Sequence, residues 1–313
     1  MKKILAILLF TVMLAGVASA FENTGTGRTG AQLLRMNMSA HSLALGGGGM
    51  ASLTGLDAFS INPAGLAQVD HMEASFSHNE MFSDVRAEYL AFAKKYFGMV
   101  FGVDLRGITF SIDERDNTGL ETGESIRFYN VAGSFGVGIP VSKNFFIGGS
   151  VSGIYENAGC EGYDDFNWGV NGGLKIMLMD EQVKLAASVR NVSTSRIGYT
   201  GLRDFPMPLT GNVGLSYTFR NGEMKDKLVL VADIEGYWEQ KYTPSAGIEY
   251  LWTDWLSVRA GYRHRENYDI MDCISFGFGV REKIKKINGH LDYAYAPYGD
   301  LGATHRISYG LSW

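Results

Sequence analysis

Hydrophobic and polar positions alternate with a period of two along most of the chain after residue 70. In residues 97–106 the odd positions are apolar up to Leu105, whereas the even positions include Gly102, Asp104 and Arg106. Because successive side chains of a strand point to opposite faces, this period predicts β-strands. Each strand has one apolar face and one face of glycine, serine, asparagine and charge.

The alternation divides into about fourteen segments, which begin near residues 71, 84, 96, 125, 143, 165, 182, 208, 227, 242, 255, 270, 285 and 302. Long connections are predicted at 107–124, 157–165 and 194–207, and short ones at 140–143, 179–181 and 252–255. Long loops on one side and short turns on the other are typical of outer-membrane barrels. The pattern therefore predicts an all-β fold, an antiparallel transmembrane β-barrel of about 14 strands over residues 71–313.

A secreted soluble β-sandwich is the alternative, since its strands also alternate. The solvent face of a sandwich is densely charged, whereas only 19% of this chain is charged and 40 of its 313 residues are glycine. That glycine content is nearly twice the usual ~7%. Aromatic residues near strand ends, where a barrel has its interfacial girdle, also favour the membrane barrel; they are Tyr237, Trp238, Trp252, Trp255 and Trp313.

The first twenty residues have the features of a secretory signal peptide. Lys2 and Lys3 precede an apolar run over residues 4–18, which ends in the small residues 18–20. The alternative, a membrane anchor, is disfavoured because the run is short and closes on a cleavage pattern. Removal of residues 1–20 leaves 26 basic and 33 acidic residues, a formal charge of -7 against -5 for the whole chain. An acidic exported protein is not expected to bind nucleic acid.

Residues 21–70 do not alternate and are predicted to form a separate element outside the strand pattern. They contain two motifs, SAHSLALGGGG over residues 39–49 and DAFSINPAGLA over residues 57–67. These motifs resemble the mature N-terminus of the PorV/PorQ family of outer-membrane proteins, which are relatives of the FadL long-chain fatty-acid transporters. Further similar strings follow in order at 189–192, 209–219, 246–250, 258–262, 275–279, 292–297 and 301–308. Two departures are His41, where arginine is usual, and Trp313, where phenylalanine is commoner.

The resemblance implies a fourteen-stranded barrel with an N-terminal hatch inside its lumen, in the outer membrane of a Gram-negative-type bacterium. PorV-like members act with the type IX secretion machinery and hold exported cargo proteins, whereas FadL-like relatives take up hydrophobic small molecules. We expect a secretion-associated component that binds exported proteins. A transporter or channel for hydrophobic compounds and a purely structural barrel are the alternatives, because function resides in loops and lumen rather than in the fold.

The candidate hatch residues are Leu45, Gly46, Gly47, Asp57, Asn62, Pro63, Ala64, Gly65 and Leu66. In the turn at 62–65, Asn62 can bond its own backbone, Pro63 fixes φ, and Gly65 permits a conformation that costs other residues energy. A turn built in this way is rigid. It is therefore suited to seal a lumen wider than the eight-stranded size that side chains alone fill.

Charged residues recur on the face that should line the lumen. The candidate lumen charges are Arg86, Asp104, Arg106, Lys175, Asp233, Glu235, Glu249, Arg259, Arg263, Asp292 and Arg306. Both signs are present, which favours a hydrogen-bonded network that holds the hatch. A selective conduit is the alternative, although a ring of one sign would be typical of such a pore.

The remaining chemical motifs are weak. The six histidines show no metal-site spacing and no serine lies in a nucleophile elbow, so no enzyme activity, metal or cofactor is expected. The alternating C-terminal residues Ile307, Tyr309, Leu311 and Trp313 resemble the signal that the barrel-insertion machinery reads. Cys160 and Cys273 are predicted near one rim in an oxidising compartment, where they are a candidate disulfide.

Overall fold

The computed structural model describes residues 29–313 apart from 117, 158, 160–163, 199–203, 221–225 and 238–239. The predicted signal peptide at 1–20 and Cys160 lie outside the described residues. Within the described ranges, no helix combines the length and the apolar character that crossing a membrane requires.

Fourteen strands of the described chain form one closed antiparallel barrel. They are β1 (Met72–Glu80), β2 (Arg86–Tyr96), β3 (Met99–Arg115), β4 (Glu121–Ser142), β5 (Phe145–Asn157), β6 (Asp164–Leu178), β7 (Val183–Val192), β8 (Thr210–Arg220), β9 (Lys227–Tyr237), β10 (Gln240–Trp252), β11 (Leu256–Arg263), β12 (Ile274–Ile284), β13 (Ile287–Pro297) and β14 (Ala303–Ser312). Each strand pairs with its sequence neighbours, and β1 closes the ring against β14. The predicted fold class and strand number are confirmed.

Every strand begins within four residues of its predicted start. The predicted long loop at 107–124 is wrong, because β3 and β4 continue as a paired hairpin as far as Arg115 opposite Glu121. Cross-strand aromatic pairing supports this extension, since the rings of Phe110 and Phe128 stack with centroids 4.6 Å apart. The connection at 194–207 carries its own two-stranded pair, Arg196–Ile197 with Phe205–Pro206.

The two faces of the barrel wall differ as the alternation predicts. Outward side chains are apolar and half exposed, as at Leu105 and Val258, which are each 54% exposed. Their neighbours Asp104 and Arg259 point inward and are buried. Apolar residues outside and charged residues inside are the reverse of a soluble sandwich, and this arrangement fits a wall that faces lipid.

Two sequence predictions for this wall are wrong. Arg86 is not a lumen charge, because Ala87 and Tyr89 are the buried, inward members of β2 and Arg86 lies on the exposed face with Leu90. Tyr237 is not a girdle residue, because it is only 7% exposed. Tyr237 lies two residues after Glu235 on β9, so the same period of two that turns Glu235 inward also turns Tyr237 inward.

The described residues 29–70, which we call the inner segment, precede the first strand. They form short helices joined by turns: a 3₁₀ turn at Gln32–Arg35, α1 (Ala40–Ala44), α2 (Gly55–Phe59) and a 3₁₀ turn at Pro63–Gln68. Leu33, Phe59 and Leu66 pack in one cluster with inward residues of β2 to β5. The hydrophobic core therefore lies between the inner segment and one side of the wall.

Candidate functional site

Backbone N–H groups of the inner segment are hydrogen-bonded to inward side chains from widely separated strands. Ala31 donates to Glu156 of β5 (2.9 Å) and Ala40 donates to the Ser308 hydroxyl of β14 (2.9 Å). Gly46 donates to the Ser275 hydroxyl of β12 at 3.0 Å. Strands this far apart around a ring contact one segment only across its interior. The inner segment therefore lies inside the barrel, and the prediction that it seals the lumen stays a prediction.

Inward-facing glycines let the inner segment approach the wall closely. A Cβ on Gly261 would lie 2.1 Å from the carbonyl carbon of Leu45, and one on Gly138 would lie 2.3 Å from the amide nitrogen of Ala67. Both contacts are with backbone atoms, which cannot move aside as a flexible side chain does. Close packing against the inner segment thus accounts for glycines on the inward face of the wall.

The turn at 62–65 is fixed by capping and by packing. Asn62 accepts a hydrogen bond from Ala64 N–H through its own side chain (3.0 Å) and donates to the Leu174 carbonyl of β6 (3.1 Å). The expected reason for Gly65 is wrong, because its φ is not positive. Glycine is required there because a Cβ would lie 2.3 Å from the Cβ of Ala58.

The glycine run after α1 makes a tight turn against β9. Gly46, Gly47 and Gly49 have φ of 76°, 75° and 87°, a region that L side chains rarely adopt. Asp233 caps this turn, since its carboxylate accepts from Gly49 N–H (2.6 Å) and Met50 N–H (3.1 Å). One inward acid thereby holds the first predicted motif in place.

Buried basic side chains bind carbonyl groups of the inner segment. The Lys175 ammonium donates to the Leu53 carbonyl at 2.5 Å and to the Gln68 side chain at 2.7 Å. Arg306 donates to the carbonyls of Asn37 and Ser39. Because a buried charge is costly without partners, these contacts stabilise both the cation and the irregular backbone it meets.

One ion network is centred on Glu235. It lies in the interior at the end of the barrel where the long loops connect the strands. Its carboxylate accepts from Arg190 (2.9 Å), from Arg263 (2.5 Å) and from the Tyr237 hydroxyl. The guanidinium of Arg35 lies 3.6 Å from the centre of the Tyr237 ring, a cation–π contact. Arg35 belongs to the inner segment, so this contact ties its first turn to the wall.

A second network lies nearer the short turns and is centred on Arg259. Its guanidinium binds Glu249 at 2.9 Å and Asp292 at 2.5 Å. Nε2 of His41, from α1, is 3.3 Å from the other Glu249 oxygen. The unusual histidine of the first motif therefore lies beside a buried carboxylate of the wall.

The predicted lumen charges other than Arg86 all point inward and balance in sign. Five are acidic and five are basic: Asp104, Asp233, Glu235, Glu249 and Asp292 with Arg106, Lys175, Arg259, Arg263 and Arg306. Arg106, for example, binds Asp104 at 2.9 Å and the Ser134 hydroxyl at 3.0 Å. Charges of both signs line the described interior, which favours the hydrogen-bonded network over the selective conduit.

Two cavities lie on opposite sides of the inner segment. The outer cavity, of about 210 Å³, is on the long-loop side and is lined by residues that include Leu43, Ile61 and Tyr298. The inner cavity, of about 550 Å³, is on the short-turn side and is lined by residues that include His41 and Asp57. Short turns of outer-membrane barrels face the periplasm, so the inner cavity lies toward the predicted periplasmic side and the outer cavity toward the predicted extracellular side.

Residues 11–167, which are half of the chain, match the model of a family described as "Uncharacterised protein family (UPF0164)". The chain belongs to this family. None of the curated proteins is similar to it in sequence.

The fold of this UPF0164 chain is similar to that of several solved structures. It is similar to the TodX monoaromatic hydrocarbon channel deltaS2 mutant, with a TM-score of 0.60 and 14% identity over 88% of this chain and 97% of that chain. It is also similar to the Ralstonia pickettii toluene transporter TbuX (TM-score 0.55, 14% identity, 86% and 96% covered) and to the CymD monoaromatic hydrocarbon channel (0.55, 14%, 93% and 97%). At this identity the likeness shows the fold alone, a closed antiparallel β-barrel, which fits the Gram-negative outer membrane. The finer PorV/PorQ resemblance stays a prediction.

Two predicted features of this family member concern its surface and its thiols. Ile307 and Tyr309 face outward and are nearly half exposed, and Trp313 is 39% exposed. Cys273 is buried and is not bonded to another cysteine among the described residues. Cys160 lies outside the described residues, so the disulfide stays a prediction.

Several residues that hold the inner segment were not predicted from the sequence, among them Glu156 and Arg35. Glu156 stands on the polar face of β5, so the alternation carried a signal for it. Arg35 lies in a segment without any periodicity, and no pattern could have shown that it meets Tyr237.

Proposed function

We propose that this protein is a FadL-like channel for small hydrophobic compounds, which enter from the extracellular side into the outer cavity. The fold it shares with hydrocarbon channels supports this proposal over the secretion role. The single observation that carries it is the composition of the outer cavity. The cavity has apolar side chains, and its cationic side chains are already bound to other groups of the protein.

The cations that line the outer cavity are bound by the protein itself. Arg263 binds Glu235 at 2.5 Å, Arg265 donates to the Pro297 carbonyl at 2.7 Å, and Arg306 donates to inner-segment carbonyls. The uncharged lining has polar side chains, among them Asn37 and Asn212, and apolar side chains, which are Met36, Leu43, Ile61, Met81, Ile274, Ala296 and Tyr298. A ligand without charge suits such a lining.

The size of the outer cavity limits its occupant. An apolar cavity of about 150 Å³ is sufficient to bind benzene. The outer cavity, at about 210 Å³, is therefore large enough for a compound with one aromatic ring and too small to enclose a long acyl chain. The inner segment forms its floor and serves as the hatch, so passage requires displacement of this floor. No catalytic step is part of the proposal.

The proposal is tested by uptake of radiolabelled toluene into proteoliposomes that contain the full mature protein. Met81 lies at the outer cavity and is partly exposed, so Met81→Trp should fill the cavity and reduce uptake by roughly tenfold, the effect of about 1.4 kcal/mol of lost binding. Met179→Trp, at an exposed short turn, is the matched control and should leave uptake unchanged. Equal uptake by the two variants would contradict the assignment of this cavity.

The hatch is tested separately by conductance in planar bilayers. The intact protein should be electrically silent, whereas deletion of residues 39–67 should leave a barrel that inserts and conducts ions. A deletion variant as silent as the intact protein would mean that the segment is not a plug. The secretion role that the PorV/PorQ resemblance implies stays a prediction, which a crosslinked pull-down of cargo from native membranes would examine.

A further inference from the structure

Three metal-ligating side chains meet where the inner segment contacts β13. They are Asp57 of α2 and His290 and Asp292 of β13, and one ligand atom from each lies within 4.8 Å of the others. Nε2 of His290 is 3.8 Å from Oδ2 of Asp57 and 3.9 Å from Oδ2 of Asp292. These distances are too long for hydrogen bonds. The three atoms therefore face a common point without bonding one another.

The remaining oxygens of the two carboxylates are occupied by other groups. Ser39 donates its hydroxyl to Oδ1 of Asp57 at 3.1 Å, and Arg259 donates to Oδ1 of Asp292 at 2.5 Å. Nε2 of His290 is buried and has no hydrogen-bond partner among the described residues. Supporting groups that hold the far oxygen of each carboxylate are typical of the surroundings of metal ligands.

The imidazole ring is held in position by a glycine on the neighbouring strand. Gly310 of β14 lies directly opposite His290 in the register. A Cβ on Gly310 would lie 2.1 Å from Cε1 and 2.4 Å from Nε2 of His290. The ring therefore occupies the space that any other residue at position 310 would need, and this packing aims Nε2 at the two carboxylates.

We propose that Asp57, His290 and Asp292 bind one divalent transition-metal ion, which pins the inner segment to the barrel wall. One imidazole nitrogen and two carboxylate oxygens suit Zn²⁺ and its neighbours, whereas Mg²⁺ and Ca²⁺ prefer oxygen alone. Glu249 and Asp292 both bind the buried guanidinium of Arg259, and Asp57 adds a further carboxylate beside His290 and Asp292. The inner cavity, which all three ligands line, gives access from the periplasmic side and room for water ligands.

The test is Zn²⁺ binding by the full mature protein in detergent, measured in competition with a chromophoric chelator. One Zn²⁺ per chain is expected. Asp57→Asn keeps an oxygen for the Ser39 contact and should weaken binding by at least about tenfold, as should His290→Ala. His305→Ala is the matched control, since this exposed histidine lies on the outward face, and it should bind Zn²⁺ like the unchanged protein.

Gly310→Ala changes no ligand and should also weaken binding by about tenfold, because it displaces the ring. Heat-modifiable mobility of each variant first establishes that its barrel has folded. Limited proteolysis is the second measurement, in which Zn²⁺ should slow cleavage of the inner segment in the unchanged protein and leave Asp57→Asn unaffected. Absence of stoichiometric binding, or equal binding by Asp57→Asn and His305→Ala, would overturn the proposal. Protection that varies with pH and not with Zn²⁺ would also overturn it, in favour of a protonated His290 between the carboxylates.

Discussion

The outward and inward faces of the same strands follow different rules. Outward residues such as Leu105 and Val258 are half exposed and need only be apolar, because lipid is a uniform solvent. Inward residues such as Gly261 and Arg259 contact particular partners, Leu45 in the first case and both Glu249 and Asp292 in the second. Single substitutions should therefore be tolerated outside and costly inside. The interior is also where the two cavities, the charges and the inner segment meet, so specificity resides there.

Trp313 is the outward residue expected to break this rule, and with the largest effect. Its backbone pairs with Met72 to close the barrel (3.0 and 3.1 Å), and its ring lies 6.4 Å from that of Phe92. The lost burial of one such side chain is worth only ~3 kcal/mol. The insertion machinery is also expected to recognise this terminal aromatic residue. Trp313→Ala should therefore abolish the folded, heat-modifiable barrel in outer membranes, although the variant can still form the backbone hydrogen bonds to Met72. Trp313→Phe is the control and should insert normally.

Recovery of normal amounts of folded Trp313→Ala barrel would place Trp313 with the other outward residues. The comparison between the two faces would then hold without exception.

The next largest effect is expected from Arg259, the buried centre of the second ion network. Arg259→Met leaves Glu249 and Asp292 without their shared cation, and loss of one member of a buried ion pair typically costs about 3–5 kcal/mol. Arg86→Met removes the same charge from the outward face of β2 and should change the free energy of unfolding little. Urea unfolding in lipid vesicles measures both, and equal losses would refute the difference between the faces.

A methyl group tests the same contrast without a change in charge. Gly261→Ala would place Cβ 2.1 Å from the Leu45 backbone and should cost about 1–3 kcal/mol through overpacking. Gly133→Ala, on the outward side of β4, would meet nothing closer than 3.4 Å and should be nearly neutral. Faster proteolysis of the inner segment in Gly261→Ala alone would show that the damage lies at the contact. Similar stability of the two variants would mean that the inner segment packs more loosely than these distances indicate.

The outward face and the strand count could be predicted from the sequence because both follow from a period of two. Each strand began within four residues of its predicted start. The failures have local causes. Arg86 lies outside the lumen because β2 turns Ala87 and Tyr89 inward, and Tyr237 lies inside because it shares the inward face of β9 with Glu235.

The interior could be predicted only in part, because its contacts join residues far apart in the chain. Charges on the inward face could be recognised as the polar positions of the alternation. The sequence did not show that Asp233 accepts a hydrogen bond from Gly49. Asp57 is part of a recognisable motif, whereas His290 and Asp292 lie far away in the sequence on β13, which the folded barrel brings next to α2. Gly65 was recognised too, but for its conformation rather than for its contact with Ala58. Topology, rather than composition, builds the site.

The smallest effect is expected at a charge in neither region, Asp226, which lies in the short turn before β9. The Tyr250 hydroxyl (2.7 Å) and Thr253 N–H (2.9 Å) both donate to its carboxylate and hold the pKa of Asp226 below its usual value. A pKa lowered on folding adds stability above the unfolded-state pKa, and this stability is lost as the pH falls through the folded-state value. The unfolding midpoint of Asp226→Asn should therefore lie slightly below that of the unchanged protein at neutral pH and should converge with it in acid. Tyr250→Phe removes one donor and should reproduce part of the shift. Because Asp226 is partly exposed, water screens these contacts. A loss at neutral pH as large as that of Arg259→Met would show that burial is not what separates the interior from the rest of the barrel.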